Sequence, residues 1–288
     1  MDTISSLLNE YSSILEIQRV INSSLSNTSL VVYVLHDFWN EVGDPRITKL
    51  PFLNGGPFAV LFCVFLYLIG VTISQKFMET REAFDLRQFM LLYNSLLVML
   101  NLAGCAVGFW FTNFGLETWF CKAIDRNDLS FETQCKIHLG FSYFVIKFIE
   151  FTDTFLFVFR KKKNQITFLH LFHHSIMPLT AWFGVKFHPG GMTGFTPLVN
   201  SAIHTVMHYY YGLSAIGPSM APYLWWKKYI TLMQMAQFTA VFFHGLHAFF
   251  IPNCSWPILF RIFEMLESFI FFVMFLNFYL KNYKKKQF

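Results

Sequence analysis

An all-α membrane protein of seven transmembrane helices is the fold class this sequence predicts. Three observations carry that expectation: few charged residues, apolar stretches of membrane-spanning length, and basic residues gathered at alternate ends of those stretches. Charged residues make up 14% of the 288-residue chain, against about 25% in a soluble domain. Hydrophobic residues make up 55%, and 38 positions are Phe. The net charge of +5 comes without a basic-aromatic stripe, so membrane lipid and not nucleic acid is the expected partner.

Seven stretches approach the roughly 20 residues needed to cross a hydrocarbon core of about 30 Å. They run over residues 57–74, 86–111, 137–159, 166–185, 193–215, 229–250 and 257–280. Residues 1–56 read as an N-terminal tail, whose one apolar patch, residues 30–35, is too short and too acid-flanked for a cleaved signal peptide. Residues 57–280 form one domain without an internal repeat, and residues 281–288 a basic tail.

An odd number of spans puts the termini on opposite faces. The loops after the first, third and fifth spans, with the C-terminal tail, hold 13 Lys and Arg, while the opposite bank holds seven. The positive-inside rule then predicts a cytoplasmic C-terminus and a lumenal N-terminus. Asn22 and Asn27 head glycosylation sequons in that lumenal tail. Lys285 and Lys286 stand fourth and third from the end, a pattern that resembles a dilysine retrieval signal for the endoplasmic reticulum. A polybasic tail beside anionic lipid is the alternative. Of five cysteines, Cys63, Cys105 and Cys135 fall in or at the edge of spans, whereas Cys121 and Cys254 lie in loops of the oxidising bank, where a bridge is expected.

A charged side chain in mid-span costs roughly 2.5–3.5 kcal/mol, so such residues are functional candidates. Lys147, Glu150 and Asp153 follow at three-residue steps in the third span and share a helical arc of about 120°. An internal salt-bridge ladder is the bland alternative. The fourth span opens with His170, His173 and His174, within about 100° of one another on a helix. Those imidazoles suit either catalysis or metal ligation. The fifth span adds His204 and His208, followed by Tyr210 and Tyr211, and the sixth adds Gln234 and Gln237, then His244 and His247.

Taken in order, Lys147-x-x-Glu150-x-x-Asp153-Thr154, His170-x-x-His173-His174, His204-x-x-Met207 with Tyr210-Tyr211, and Thr231-x-x-Gln234-x-x-Gln237 resemble the four signatures of the ELO very-long-chain fatty acid elongases. One position departs from the pattern: His208 stands where the family usually has Tyr. The resemblance implies an endoplasmic reticulum acyltransferase, a 3-oxoacyl-CoA synthase. It would join long-chain acyl-CoA to malonyl-CoA with decarboxylation, with no bound cofactor or metal and an acyl-binding tunnel among the helices. Implied partners are the reductase, dehydratase and enoyl reductase of the elongation cycle, and a homo- or hetero-oligomer. His173 is the expected acyl acceptor, His204 faces the malonyl unit, and Glu150 and Asp153 fix imidazole tautomers. Lys147 balances their charge or meets a CoA phosphate. Thr154, Gln234, Gln237, Tyr210 and Tyr211 are expected substrate contacts, and Arg160, Lys161 and Lys162 attract CoA phosphates or merely obey the positive-inside rule. A membrane di-iron desaturase or hydroxylase is the rival reading, since it also uses histidine boxes, and a seven-span lipid transporter is the more distant one.

Overall fold

The computed structural model describes residues 29–121 and 124–284, which form helices and connecting loops. Asn22, Asn27, Lys285 and Lys286 lie outside the described residues. Seven helical passages follow the order read from hydropathy, the third in two pieces. They are α1 (Phe58–Phe77), α2 (Arg87–Phe111), α3 (Phe131–Ile149) with α4 (Phe151–Phe159), α5 (Phe168–Phe187), α6 (Phe195–Ile216), α7 (Lys227–His247) and α8 (Ile258–Tyr279). By length and apolarity alone, α1 and α2 qualify as membrane-crossing among the described helices. The later helices carry the imidazole, amide and charged side chains that dilute their hydropathy. The outer faces of early and late helices alike are apolar, as Phe62 and Ile73 on α1 and Leu259 and Phe269 on α8 show by their exposure.

Local chemistry sets where the helices begin and end. The Ser130 hydroxyl accepts from the Thr133 amide at the start of α3, and the Thr167 hydroxyl accepts from the His170 amide at 3.2 Å at the start of α5. The second cap fixes the turn from which the histidine box projects. Helix α6 stops at Gly217, whose φ of +116° is open to a residue without Cβ. Helices α7 and α8 approach closely at Gly245, where a Cβ would come within 2.8 Å of Met265. In the bundle α2 packs chiefly on α6, α7 on α8, α3 on α5 and α4 on α1.

Two features differ from the hydropathy reading. The third passage is not one continuous helix: it breaks at Glu150, between α3 and α4. The second difference concerns residues 29–56, grouped with the tail by composition but folded onto the bundle. Residues 30–42 are helical, Trp39 meets Trp182 edge to face at 5.7 Å, and Ile47 and Leu53 are fully buried. The Lys186 ammonium donates to Asn40 Oδ1 at 2.8 Å and to the Leu53 carbonyl at 2.7 Å. Arg46 grips Asp44 and also donates to the carbonyls of Asp125 and Asp128. Isolated apolar residues spaced along a polar segment make no hydropathic run, yet each can fill a place in a core. A disulfide joins Cys121 to Cys254, with Cα atoms 4.9 Å apart, and ties the loop before α3 to the loop between α7 and α8.

Candidate active site

Glu150, at the junction of α3 and α4, lies inside the bundle and is 1% exposed. Its two oxygens accept from the Lys147 ammonium at 3.0 and 3.1 Å, and that ammonium also donates to Asn200 Oδ1 of α6 at 2.9 Å. Glu150 Oε1 also lies 2.9 Å from Nδ1 of His204. A carboxylate accepts only, so Nδ1 of His204 carries the hydrogen and Nε2 presents its lone pair. The Lys147 ammonium sits 4.5 Å above the Tyr143 ring, on its remaining side. All the contacts of its ammonium hydrogens are thus to groups inside the protein.

The histidine box faces this ion pair from α5. His170 Nε2 lies 2.8 Å from the Thr154 hydroxyl, which is 2.7 Å from the Tyr67 hydroxyl of α1. The His170 and His174 rings are 4.3 Å apart, those of His173 and His174 5.4 Å, and His173 packs edge-on against Phe271 of α8 at 5.1 Å. His174 lies within electrostatic reach of Glu150, and His173 within reach of His204. Pro178, one turn on, lacks the amide hydrogen that would bond the His174 carbonyl, which loosens α5 directly beside the box.

The other expected residues divide by position. Asp153 is buried near Tyr93, whose hydroxyl donates to the Ile149 carbonyl at 3.3 Å. Gln234 Nε2 touches the Met207 sulfur at 3.5 Å, and Gln237 is buried on the same helix. Tyr210 packs on Trp226, and Tyr211 approaches His208 at 6.1 Å. Arg160 is half-buried where α4 ends, followed by exposed Lys161 and Lys162, close in sequence to the box. The sequence reading passed over two amides: Asn200 on Lys147, and Asn94, whose Oδ1 lies 3.1 Å from Nδ1 of His208. Both are polar residues in apolar spans, which was the available signal.

Glu150, His204 and His208 each offer one ligand atom within 4.8 Å of the others, the only such metal-capable group among the described residues. The ammonium of Lys147 on the same carboxylate works against a cation there, and the hydrogen-bonded arrangement accounts for the cluster without one. A di-iron set would also need His244 and His247. His244 stacks on Phe195, nine residues before His204 on α6 and so about 13 Å away along that helix. There it bonds Glu264 and the Thr118 carbonyl, in a separate cluster.

A cavity of about 600 Å³ lies beside the site, walled mainly by apolar side chains of α2, α3, α5, α6 and α8. Tyr143 and Ser201, neighbours of Lys147 and Asn200, belong to its lining, whereas the three histidines of the box do not.

The ELO: GNS1/SUR4 family profile matches residues 52–288. Very long chain fatty acid elongase 1 of Mus musculus is 38% identical over 261 residues, covering 88% of this chain and 91% of the relative. Very long chain fatty acid elongase 7 of Rattus norvegicus is 38% identical over 257 residues, covering 88% and 90%. Very long chain fatty acid elongase 4 of Homo sapiens is 34% identical over 269 residues, covering 93% and 83%. With matches of that length on both sides, the chain belongs to the ELO (GNS1/SUR4) family, a multi-pass membrane family.

Proposed function

We infer that this chain is a very long chain fatty acid elongase, the 3-oxoacyl-CoA synthase that condenses a long-chain acyl-CoA with malonyl-CoA. One observation carries the chemistry: a histidine box on α5 faces a buried Lys147–Glu150–His204 relay contributed by α3 and α6. In the mechanism we propose, an imidazole nitrogen of His173 attacks the thioester carbonyl, the C–S bond breaks, and CoA leaves as the thiol with the imidazole's proton. Malonyl-CoA then loses carbon dioxide, its C–C electron pair remaining as an enolate. The enolate carbon attacks the acyl-imidazole, the C–N bond breaks, and His173 regains one proton from the aqueous mouth.

His204 first takes up a second proton, on Nε2, and from there donates to the malonyl thioester oxygen as charge gathers on it. Glu150 supports that by stabilising the doubly protonated ring, and Lys147 keeps the carboxylate ionised. The acyl tail takes the apolar cavity, where burial contributes about 0.8 kcal/mol per methylene. Arg160, Lys161 and Lys162, with Lys227 and Lys228 at the start of α7, attract the CoA phosphates from the cytoplasmic side. Seven spans, a lumenal N-terminus and residence in the endoplasmic reticulum complete the reading, supported by the charge asymmetry of the loops.

The test uses purified protein in detergent with radiolabelled malonyl-CoA and long-chain acyl-CoAs, without NADPH. Wild type accumulates 3-oxoacyl-CoA and folded His173→Ala does not. Absence of product from wild type with every acyl-CoA overturns the function. CoA release from acyl-CoA alone that persists in His173→Ala overturns the covalent route.

A further inference from the structure

The cavity wall is mainly apolar, and one group of its polar side chains gathers where α3, α5 and α8 converge. There the Thr180 hydroxyl lies 2.6 Å from Glu267 Oε1, and the second Glu267 oxygen has no partner among the described residues. Glu264, one turn earlier on α8, is committed differently: one oxygen accepts from Thr196 at 2.5 Å and the other lies 3.3 Å from His244 Nδ1. Tyr143 reaches the same wall from α3. It is 7% exposed, its hydroxyl is buried without a hydrogen-bond partner, and Glu267 lies within its electrostatic reach. Thus a free acceptor and a free hydroxyl share one stretch of a mainly apolar surface.

Such groups are costly opposite a plain hydrocarbon chain, because neither water nor the chain satisfies them. A substrate hydroxyl removes that cost, donating to Glu267 and accepting from Tyr143. The position along the chain follows from α5: Thr180 is seven residues after His173, about 10 Å along the helix. On α8, Phe271 packs against His173 and stands one turn beyond Glu267.

We propose that Tyr143, Thr180 and Glu267 form a polar station in the cavity wall that receives a hydroxyl group carried in the middle stretch of an acyl chain. The proposal rests on the elongase reading and adds a substrate class to it. Specificity of this kind is strong where a buried site is built to hydrogen-bond a hydroxyl, since the chain lacking it leaves the site unpaired.

The experiment compares kcat/KM of the full-length protein for octadecanoyl-CoA and for isomers bearing one hydroxyl at successive carbons, with the specificity ratio as readout. A narrow set of mid-chain isomers exceeds the unsubstituted chain by about tenfold. Glu267→Leu and Tyr143→Phe each bring that ratio towards one, and Glu267→Gln, which keeps an acceptor, retains a preference. A wild-type ratio of one or less for every isomer, or a ratio untouched by Glu267→Leu and Tyr143→Phe, overturns the station while the elongase reading stands. No product from the unsubstituted chain either overturns the elongase reading itself.

Discussion

Glu150 Oε1 and Nδ1 of His204 meet at 2.9 Å across 54 positions of sequence, joining the break in the third passage to the middle of α6. Because Lys147 occupies the same carboxylate, the charge on Glu150 serves both the imidazole and the ammonium. Glu150→Gln keeps an acceptor but removes the charge. It lowers kcat by about a hundredfold or more while KM for acyl-CoA moves little. It also strands the buried ammonium, at a cost of about 3–5 kcal/mol. Combining it with Lys147→Met restores the melting temperature in detergent and leaves turnover low. Recovery of turnover in the double variant would show that the pair is structural only.

The hydroxyl of Thr154 connects His170 to Tyr67 at 2.8 and 2.7 Å. Thr154→Val preserves shape and leaves the buried Tyr67 hydroxyl and the half-buried His170 ring without this bond, so it costs about 1–3 kcal/mol of stability. The freed His170 ring, 4.3 Å from His174, then loosens the box, and turnover falls further than Tyr67→Phe lowers it. Thermal melts and initial rates on the two variants measure this. Equal losses in both would remove Thr154 as the orienting group for His170.

What the sequence made legible follows the cost of polarity in lipid. Lys147, Glu150 and the three box histidines stood out because ionisable groups in apolar runs need a reason, and the structure brings them to one interior face. Asn94 and Asn200 carry weaker signals, being uncharged, yet they hold His208 and Lys147. Hydropathy registers the length of an apolar run, so it could not reveal the break at Glu150, where apolar residues continue on both sides. Nor could it reveal that Trp39, Ile47 and Leu53 pack into the bundle. The histidines of α7 looked equivalent to those of α6, but helical rise separates them, and His244 is spent on Glu264 and Thr118.

The bridge between Cys121 and Cys254 spans 133 positions, so it closes a loop that contains most of the bundle. Chain-entropy arguments give such a closure about 4–5 kcal/mol, and engineered cases often deliver less. Replacing both cysteines by Ser lowers the melting temperature, and reductant lowers it to the same value in wild type without affecting the double variant. Peptide mapping under non-reducing conditions identifies the linked pair. A free thiol at either position would refute the bridge.

His208 is the residue that departs from the family pattern, and its surroundings suit an imidazole. The amide of Asn94 donates from Nδ2 to the Met90 carbonyl at 2.8 Å, which fixes its Oδ1 towards His208 Nδ1 at 3.1 Å. An oxygen acceptor there requires the hydrogen on Nδ1, so Nε2 keeps its lone pair, and that atom is buried without a partner. The two side chains are therefore coupled: either one without the other leaves a buried group unpaired. Asn94→Leu and His208→Phe each destabilise by about 1–3 kcal/mol, and the double variant falls short of their sum by 0.5 kcal/mol or more, roughly the threshold for coupled neighbours. A double-mutant cycle on melting or denaturant curves in detergent reads this directly. Strict additivity would mean that Asn94 does not hold the ring, and that the tautomer of His208 is set elsewhere.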